Sequence, residues 1–351
     1  MVACGGGLRH AARSPVESRA RPSIEFVEPR ESVGVAGRVA GYLGVALVTA
    51  CWAVLRLAMN REYGPANWTA LVELRAPLPF GHRVLVPWLA RPWVDAGVPV
   101  TWVFGISEWL ATMALVWVLA HAARRDLGPR AAALGAVLVL PVLALPMLLA
   151  HRWNVFYPWD TWAMVAVVGV VDLVRRDRMG LACVLVFVAA LNRESIALAP
   201  LFAVALRLDR APLRTTMAWA VWLALSYAAA RGLVGLAVPD ARGPALHLWL
   251  GDQPRAFENL RWLGDPRNAA LWFGSVAGLP LAWWFVHGFA PRDLRRLHLP
   301  LLVGGLGLLV VANVYEPRVY GELVVLAWWV VWSGAWRWAS GAAAASWAPP
   351  A

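Results

Sequence analysis

The stretch Leu191, Asn192, Arg193, Glu194, Ser195 sets an amide, a guanidinium and a carboxylate between two apolar runs, Gly180 to Ala190 and Ile196 to Leu206. At a helix centre in hydrocarbon such charges cost roughly 2.5–3.5 kcal/mol each, so they need a partner, water or a fold that brings them to a surface. Other chemistry-bearing residues fall in the same kind of apolar setting. Glu62 and Glu73 follow the first apolar run and could accept a proton from a hydroxyl. Arg83, Arg91, Arg193 and Arg318 could grip an oxyanion through bidentate contacts, with His151 and Arg152 as further phosphate contacts and Glu194 beside Arg193. Glu108, Asp160 and Glu316 are carboxylates inside or beside apolar runs, and an intramembrane carboxylate is by default a functional-site hypothesis.

Each of these residues also has a structural reading. The outer Glu side chains fit Arg-paired surface groups, and Arg83 and Arg91 fit anchors of an interfacial helix at lipid headgroups. Arg193 and Glu194 fit a buried ion pair, and Glu108 fits a hydrogen bond to a neighbouring helix. His151 and Arg152 fit a helix end, Asp160 an N-cap, and Arg318 and Glu322 an i,i+4 pair.

Composition dictates the kind of chain that must position them. Of 351 residues 60% are hydrophobic and 15% charged, with mean hydropathy +0.57, more apolar surface than a soluble core of this size hides. An all-α, polytopic membrane protein follows. The net charge of +11 is carried by Arg without any Lys, in short clusters between apolar runs, a pattern that orients membrane proteins rather than builds a nucleic-acid face. Cys4, Cys51 and Cys183 have no disulfide or metal spacing. No Gly-rich phosphate loop, zinc-ligand spacing, nucleophile elbow or heptad repeat is present.

Along the chain, residues 1–37 read as a disordered basic cytoplasmic tail, residues 38–338 as the transmembrane domain, and residues 339–351 as a flexible C-terminal tail. Val39 to Met59 spans. The mixed stretch 60–97 forms an outer loop with an interfacial helix over Arg83 to Ala90, ended before Pro92. Val98 to Ala122, Ala131 to Ala150 and Thr161 to Val174 follow. If Gly180 to Leu206 were one helix, the Arg groups at 207, 210, 214, 292, 295 and 296 would face outward, against the positive-inside rule. A hairpin of two short arms, about 16 Å each, keeps them cytoplasmic. Helices at about 215–235, 271–289, 300–314 and 322–338 complete the chain, with a second outer loop at 236–270. The count is about ten membrane segments with both termini inside, and the acid, base and aromatic clusters share the outer face.

Arg83-Val84-Leu85-Val86-Pro87-Trp88-Leu89-Ala90-Arg91 after the first helix, Leu191 to Ser195 after a short helix, and Glu316-Pro317-Arg318 before the last one resemble segments of bacterial polytopic proteins related to the GT-C glycosyltransferases. The likeness covers most of residues 38–338 in layout and only these short stretches in motif. It implies a GT-C-like fold in the bacterial cytoplasmic membrane, and transfer of a sugar from a polyprenyl-phosphate donor to a glycan acceptor on the extracytoplasmic face, with room for a divalent cation. It also implies membrane lipids, and no nucleic acid, as partners. The superfamily carries an acidic pair or an acidic-any-acidic motif in the first outer loop; here only the separated Glu62 and Glu73 stand there, as candidate bases. The chemistry itself needs a carboxylate for the acceptor proton and cations for the leaving phosphate. Two readings from other classes stand beside it: a transporter or flippase for a lipid-linked or anionic solute, with Glu108, Arg193 and Glu194 lining its path, and a noncatalytic envelope-assembly protein.

Overall fold

The computed structural model describes residues 35–149, 154–239, 248–250 and 252–341. The chain divides after Gly41: of Met1–Gly41 the described part is the start of the first helix, and everything below concerns Tyr42–Ala351. The tails expected at 1–37 and 339–351 fall almost entirely outside the described residues, as do His151 and Arg152.

Backbone amides buried in hydrocarbon must be satisfied within their own segment, so apolar runs of this length fold as helices. In order these are α1 Val35–Met59, α2 Trp68–Val72, α3 Leu85–Asp95, α4 Val100–Ala144, α5 Asp160–Arg175, α6 Met179–Ala190, α7 Ala199–Arg207 and α8 Leu213–Ala237. After a two-stranded ribbon, β1 Trp249–Leu250 with β2 Gln253–Pro254, come α9 Arg255–Leu263, α10 Pro266–Ser275, α11 Leu279–Val286, α12 Arg292–Arg295, α13 His298–Val311 and α14 Gly321–Ala339. The protein is an all-α, multi-span membrane protein.

Ten crossings are not upheld. Among the described residues five helices are long and apolar enough to span, Val39–Met59, Val100–Leu148, Leu213–Ala237, Arg292–Val311 and Pro317–Ala339, or six with the α10–α11 pair, which bends by 63°. The higher count treated short arms as crossings: α6, at 12 residues, is about 18 Å long and α7, at 9 residues, shorter still, against ~30 Å of hydrocarbon. The helices expected at 98–122 and 131–150 are both present as the two arms of α4, parted at Gly128 by a non-helical φ 75, ψ 171 that glycine adopts without penalty, just before Pro129. The single helix expected at 271–289 is broken by Ala277 and Gly278, both at positive φ. α3 runs through Pro92 rather than stopping before it; a proline forfeits one backbone donor, and the helix closes a turn later at Ala96 and Gly97.

α5 is the axis of the fold. α4, α6, α7 and α14 pack around it, and Met164, Val167, Val168, Val170 and Val171 are each 2% exposed or less. The ends of the 180–206 segment are fixed by ion pairs. Arg193, after α6, reaches Asp160 at the start of α5, whereas Arg207, closing α7, pairs with Asp177, just past the end of α5. α6 therefore runs antiparallel to α5 and α7 runs back, with Leu191–Arg193 at the turn.

Candidate functional site

The backbone opens at the turn: Arg193 is extended, φ −158, ψ 147, between the last turn of α6 and a 3-10 turn at Glu194–Leu198. The turn is docked by Asn192, whose Nδ2 donates to the Trp159 carbonyl at 3.0 Å, and by Val84 and Leu85, whose N–H groups both donate to the Leu191 carbonyl. Three segments far apart in sequence thus meet at the first residue of α5.

Asp160 is the centre of the cluster. Its Oδ1 lies 3.0 Å from Arg193 Nη1; its Oδ2 lies 3.4 Å from Arg318 and 3.8 Å from Arg56. Arg193 also reaches Glu322 Oε1 at 3.2 Å, an oxygen that accepts from the Ser195 hydroxyl at 2.7 Å. Arg56 lies 3.8 Å from Glu108, which accepts from Thr161 Oγ1 at 2.7 Å. These three guanidinium groups and three carboxylates are each 5% exposed or less. Charges so deep are tolerable because they are equal in number and mutually bonded; desolvation would otherwise cost several kcal/mol per ion.

A partly open rim adjoins this buried set. Arg83 Nε donates to Glu194 Oε2 at 3.1 Å, and Arg231 of α8 reaches Glu194 Oε1 at 3.5 Å while donating to the His82 and Ala190 carbonyls. Glu316 pairs with Arg318 and accepts from Asn313 Nδ2 at 2.6 Å. An aromatic run, Tyr63, Phe80, Tyr157 and Trp159, crosses between the two rim carboxylates with centroids 5.5, 5.2 and 4.9 Å apart. Arg83 lies over Phe80 and Trp159, and Arg318 over Tyr157 at 4.4 Å. Burial, and next the Arg231 charge, hold the His82 imidazole below its ordinary pKa, while burial pushes the Tyr157 phenol up against the opposing pull of Arg318.

Of the residues singled out by sequence, Arg83, Glu108, Asp160, Arg193, Glu194, Glu316 and Arg318 come together here. Glu62 and Glu73 do not. Glu62 accepts from the Trp68 backbone N–H at the start of α2, and Glu73 pairs with Arg75; the two line an exposed polar pocket of about 480 Å³ with Asn67 and Thr69. Arg91 pairs with Asp95 one turn on along α3, both exposed. Arg318 and Glu322 do not pair as a helical i,i+4 couple: Arg318 sits in a 3-10 turn ahead of α14, so the two side chains diverge to Asp160 and Arg193. Sequence reading missed Arg56 and Arg231, single cations near helix ends whose signal was that of ordinary flanking charges. Among the described residues no group of three or more His, Cys, Asp or Glu is placed to hold a metal ion.

The far end of α5 carries a second polar layer. Arg175 is bidentate to Asp126 at 2.9 Å and reaches Asp293 at 2.7 Å, which also pairs with Arg210, while Asp209 pairs with Arg292 and Arg296. Comparison with protein-family models, curated proteins and solved structures finds no match to this chain. What the fold and site define is a helical multi-span membrane protein with a buried, charge-balanced cluster at one end of its central helix.

Proposed function

We propose that the chain is an integral-membrane glycosyltransferase that uses a polyprenyl-phosphate-linked sugar donor for cell-envelope glycan or glycolipid assembly. The observation that carries this reading is the cluster's one-sidedness: buried Arg groups, partly open carboxylates and an aromatic run meet at one end of α5. The acceptor hydroxyl gives its proton to Glu316 as its oxygen bonds to the anomeric carbon. The bond from that carbon to the phosphate oxygen breaks, and the electron pair leaves on polyprenyl phosphate, steadied by Arg83, Arg193 and Arg318. Tyr63 and Phe80 offer ring faces to the sugar. Asp160 positions Arg193 and Arg318, and Glu194 positions Arg83.

Transport of a polar solute is the weaker reading because the middle of α5 has nothing to hold one. From Trp162 to Val171 the helix is apolar but for the Trp162 indole, whose N–H is bonded to Ser107. The test is complementation of a deletion strain, with glycans and lipid-linked intermediates read by mass spectrometry. Glu316→Gln and Arg193→Ala at normal protein abundance should each abolish transfer and let the donor accumulate, and Glu73→Gln should transfer normally. Loss with Glu73→Gln alone would move the base to the exposed pocket, and normal transfer in all three variants would sink the reading.

A further inference from the structure

α9 reverses the usual plan of a surface helix. Arg255 and Asn259, four residues apart and so on one face, are buried, and Trp262 on the same side meets the Tyr315 ring at 6.5 Å between centroids. The opposite face carries Phe257 and Leu260, each more than half exposed, with the exposed Arg261 beside them. Polar residues turned inward and large apolar ones turned outward mark a helix whose outer neighbour is not water.

The helix is held at a defined depth. Asn259 donates from Nδ2 to the Leu309 and Ala312 carbonyls, both at 2.7 Å, and accepts from the Val314 N–H at 3.2 Å, which fastens α9 to the C-terminal turn of α13. Arg292–Val311 is long and apolar enough to span, and it exposes Leu302, Leu306 and Val310 along its length. Val310 stands between the two residues whose carbonyls Asn259 holds. α9 therefore sits where the exposed apolar surface of a span ends, the level at which hydrocarbon gives way to headgroups. The ribbon before α9 brings an exposed Trp249 to the same region, tied in by the Arg255 N–H, which donates to the Leu248 carbonyl at 2.8 Å. Tryptophan favours that boundary, and an Arg stem can lie along apolar surface with its guanidinium among headgroups.

We propose that the outward face of α9 is a lipid-docking surface, with Phe257 and Leu260 seated in the headgroup–acyl boundary of the bilayer at the Asp160 end of the molecule, and Trp249 and Arg261 flanking them. The occupant is the bilayer rather than a soluble protein because the face continues, in depth, the exposed apolar surface of α13. α9 then acts as a float. The segment it holds through Val314 also carries Asn313, which donates to Glu316, so docking sets the height of a rim carboxylate relative to the membrane surface.

The experiment uses the full-length chain with Cys4→Ala, Cys51→Ala and Cys183→Ala, reconstituted into vesicles of palmitoyl-oleoyl-phosphatidylcholine. A nitroxide is attached at Phe257→Cys, at Leu260→Cys or, as a reference on the span, at Leu306→Cys. All three positions are exposed, so the label displaces no packed side chain. Power-saturation EPR should find oxygen, which concentrates in hydrocarbon, colliding more often than a water-soluble nickel chelate at 257 and 260. The depth there should be about 5–10 Å below the phosphates, and shallower than at 306. A bimane at Leu260→Cys should be quenched more by lipid brominated near the headgroup than by lipid brominated near the chain end. Free collision with the nickel chelate at 257 and 260 would mean that the face meets water, and protection from both oxygen and nickel would mean that protein covers it; either result would overturn the proposal.

Discussion

At the scale of single residues the governing fact is the convergence of buried cations on Asp160. Three guanidinium groups converge on one carboxylate, and their remaining contacts go to Glu108, Glu316 and Glu322. Removing one member of a buried pair strands the other, at about 3–5 kcal/mol, whereas removing both together costs far less. Asp160→Asn should therefore lower stability in detergent by about that amount, and Asp160→Asn combined with Arg318→Met should recover a good part of it. Unfolding curves for the two singles and the double close the cycle; strict additivity would mean that the pair does not communicate. Glu73→Gln, on the exposed pocket, should stay within about 0.5 kcal/mol of the parent.

At the scale of elements, packing turns on a few places where helices touch backbone to backbone. A Cβ at Gly334 of α14 would come within 2.3 Å of the Val286 carbonyl oxygen at the end of α11, and backbone cannot move aside as a flexible side chain can. Gly334→Ala should cost about 1–3 kcal/mol by overpacking. Gly232→Ala on α8, with nothing within 4 Å, should be neutral or stabilising by up to about 1 kcal/mol, because alanine loses less backbone entropy in a helix. Thermal unfolding of both variants in one detergent separates the cases.

Elements also show how far the sequence could be read. Long apolar runs announced α1, α4, α8, α13 and α14, because hydropathy and length decide those. The turn at Asn192–Glu194 was legible because charge between apolar runs is costly and the Arg pattern leaves few ways to thread it. The crossing number was not legible, since a 12-residue apolar run does not say whether it crosses, stops or turns back; its neighbours decide. In the site, Asp160, Arg193 and Arg318 were visible as separate anomalies, but their convergence is tertiary. Arg56 and Arg231 carried no local mark of burial, and Glu62 and Glu73 were drawn aside by local bonds to Trp68 and Arg75 that no spacing rule reveals.

At the scale of the whole molecule, two polar layers are held apart by an apolar interior, the Asp160 layer tied to α1, α4 and α14 and the Arg175 layer to α4 and α12. α5 begins at Asp160 and ends at Arg175, the sense that the helix dipole favours, and Asp172 near its C-terminal end is paired with Arg176. Because both ends are locked by ion pairs, the helix cannot slide by even one residue, 1.5 Å, without breaking contacts in both layers.

That lock makes α5 a ruler. Its 16 residues set the two charged layers about 24 Å apart, several ångströms less than the ~30 Å hydrocarbon slab of a typical bilayer. Both layers are buried, so that spacing is kept inside the protein, while the mostly exposed helices α1 and α8, 25 residues each, run about 37 Å and reach past the slab.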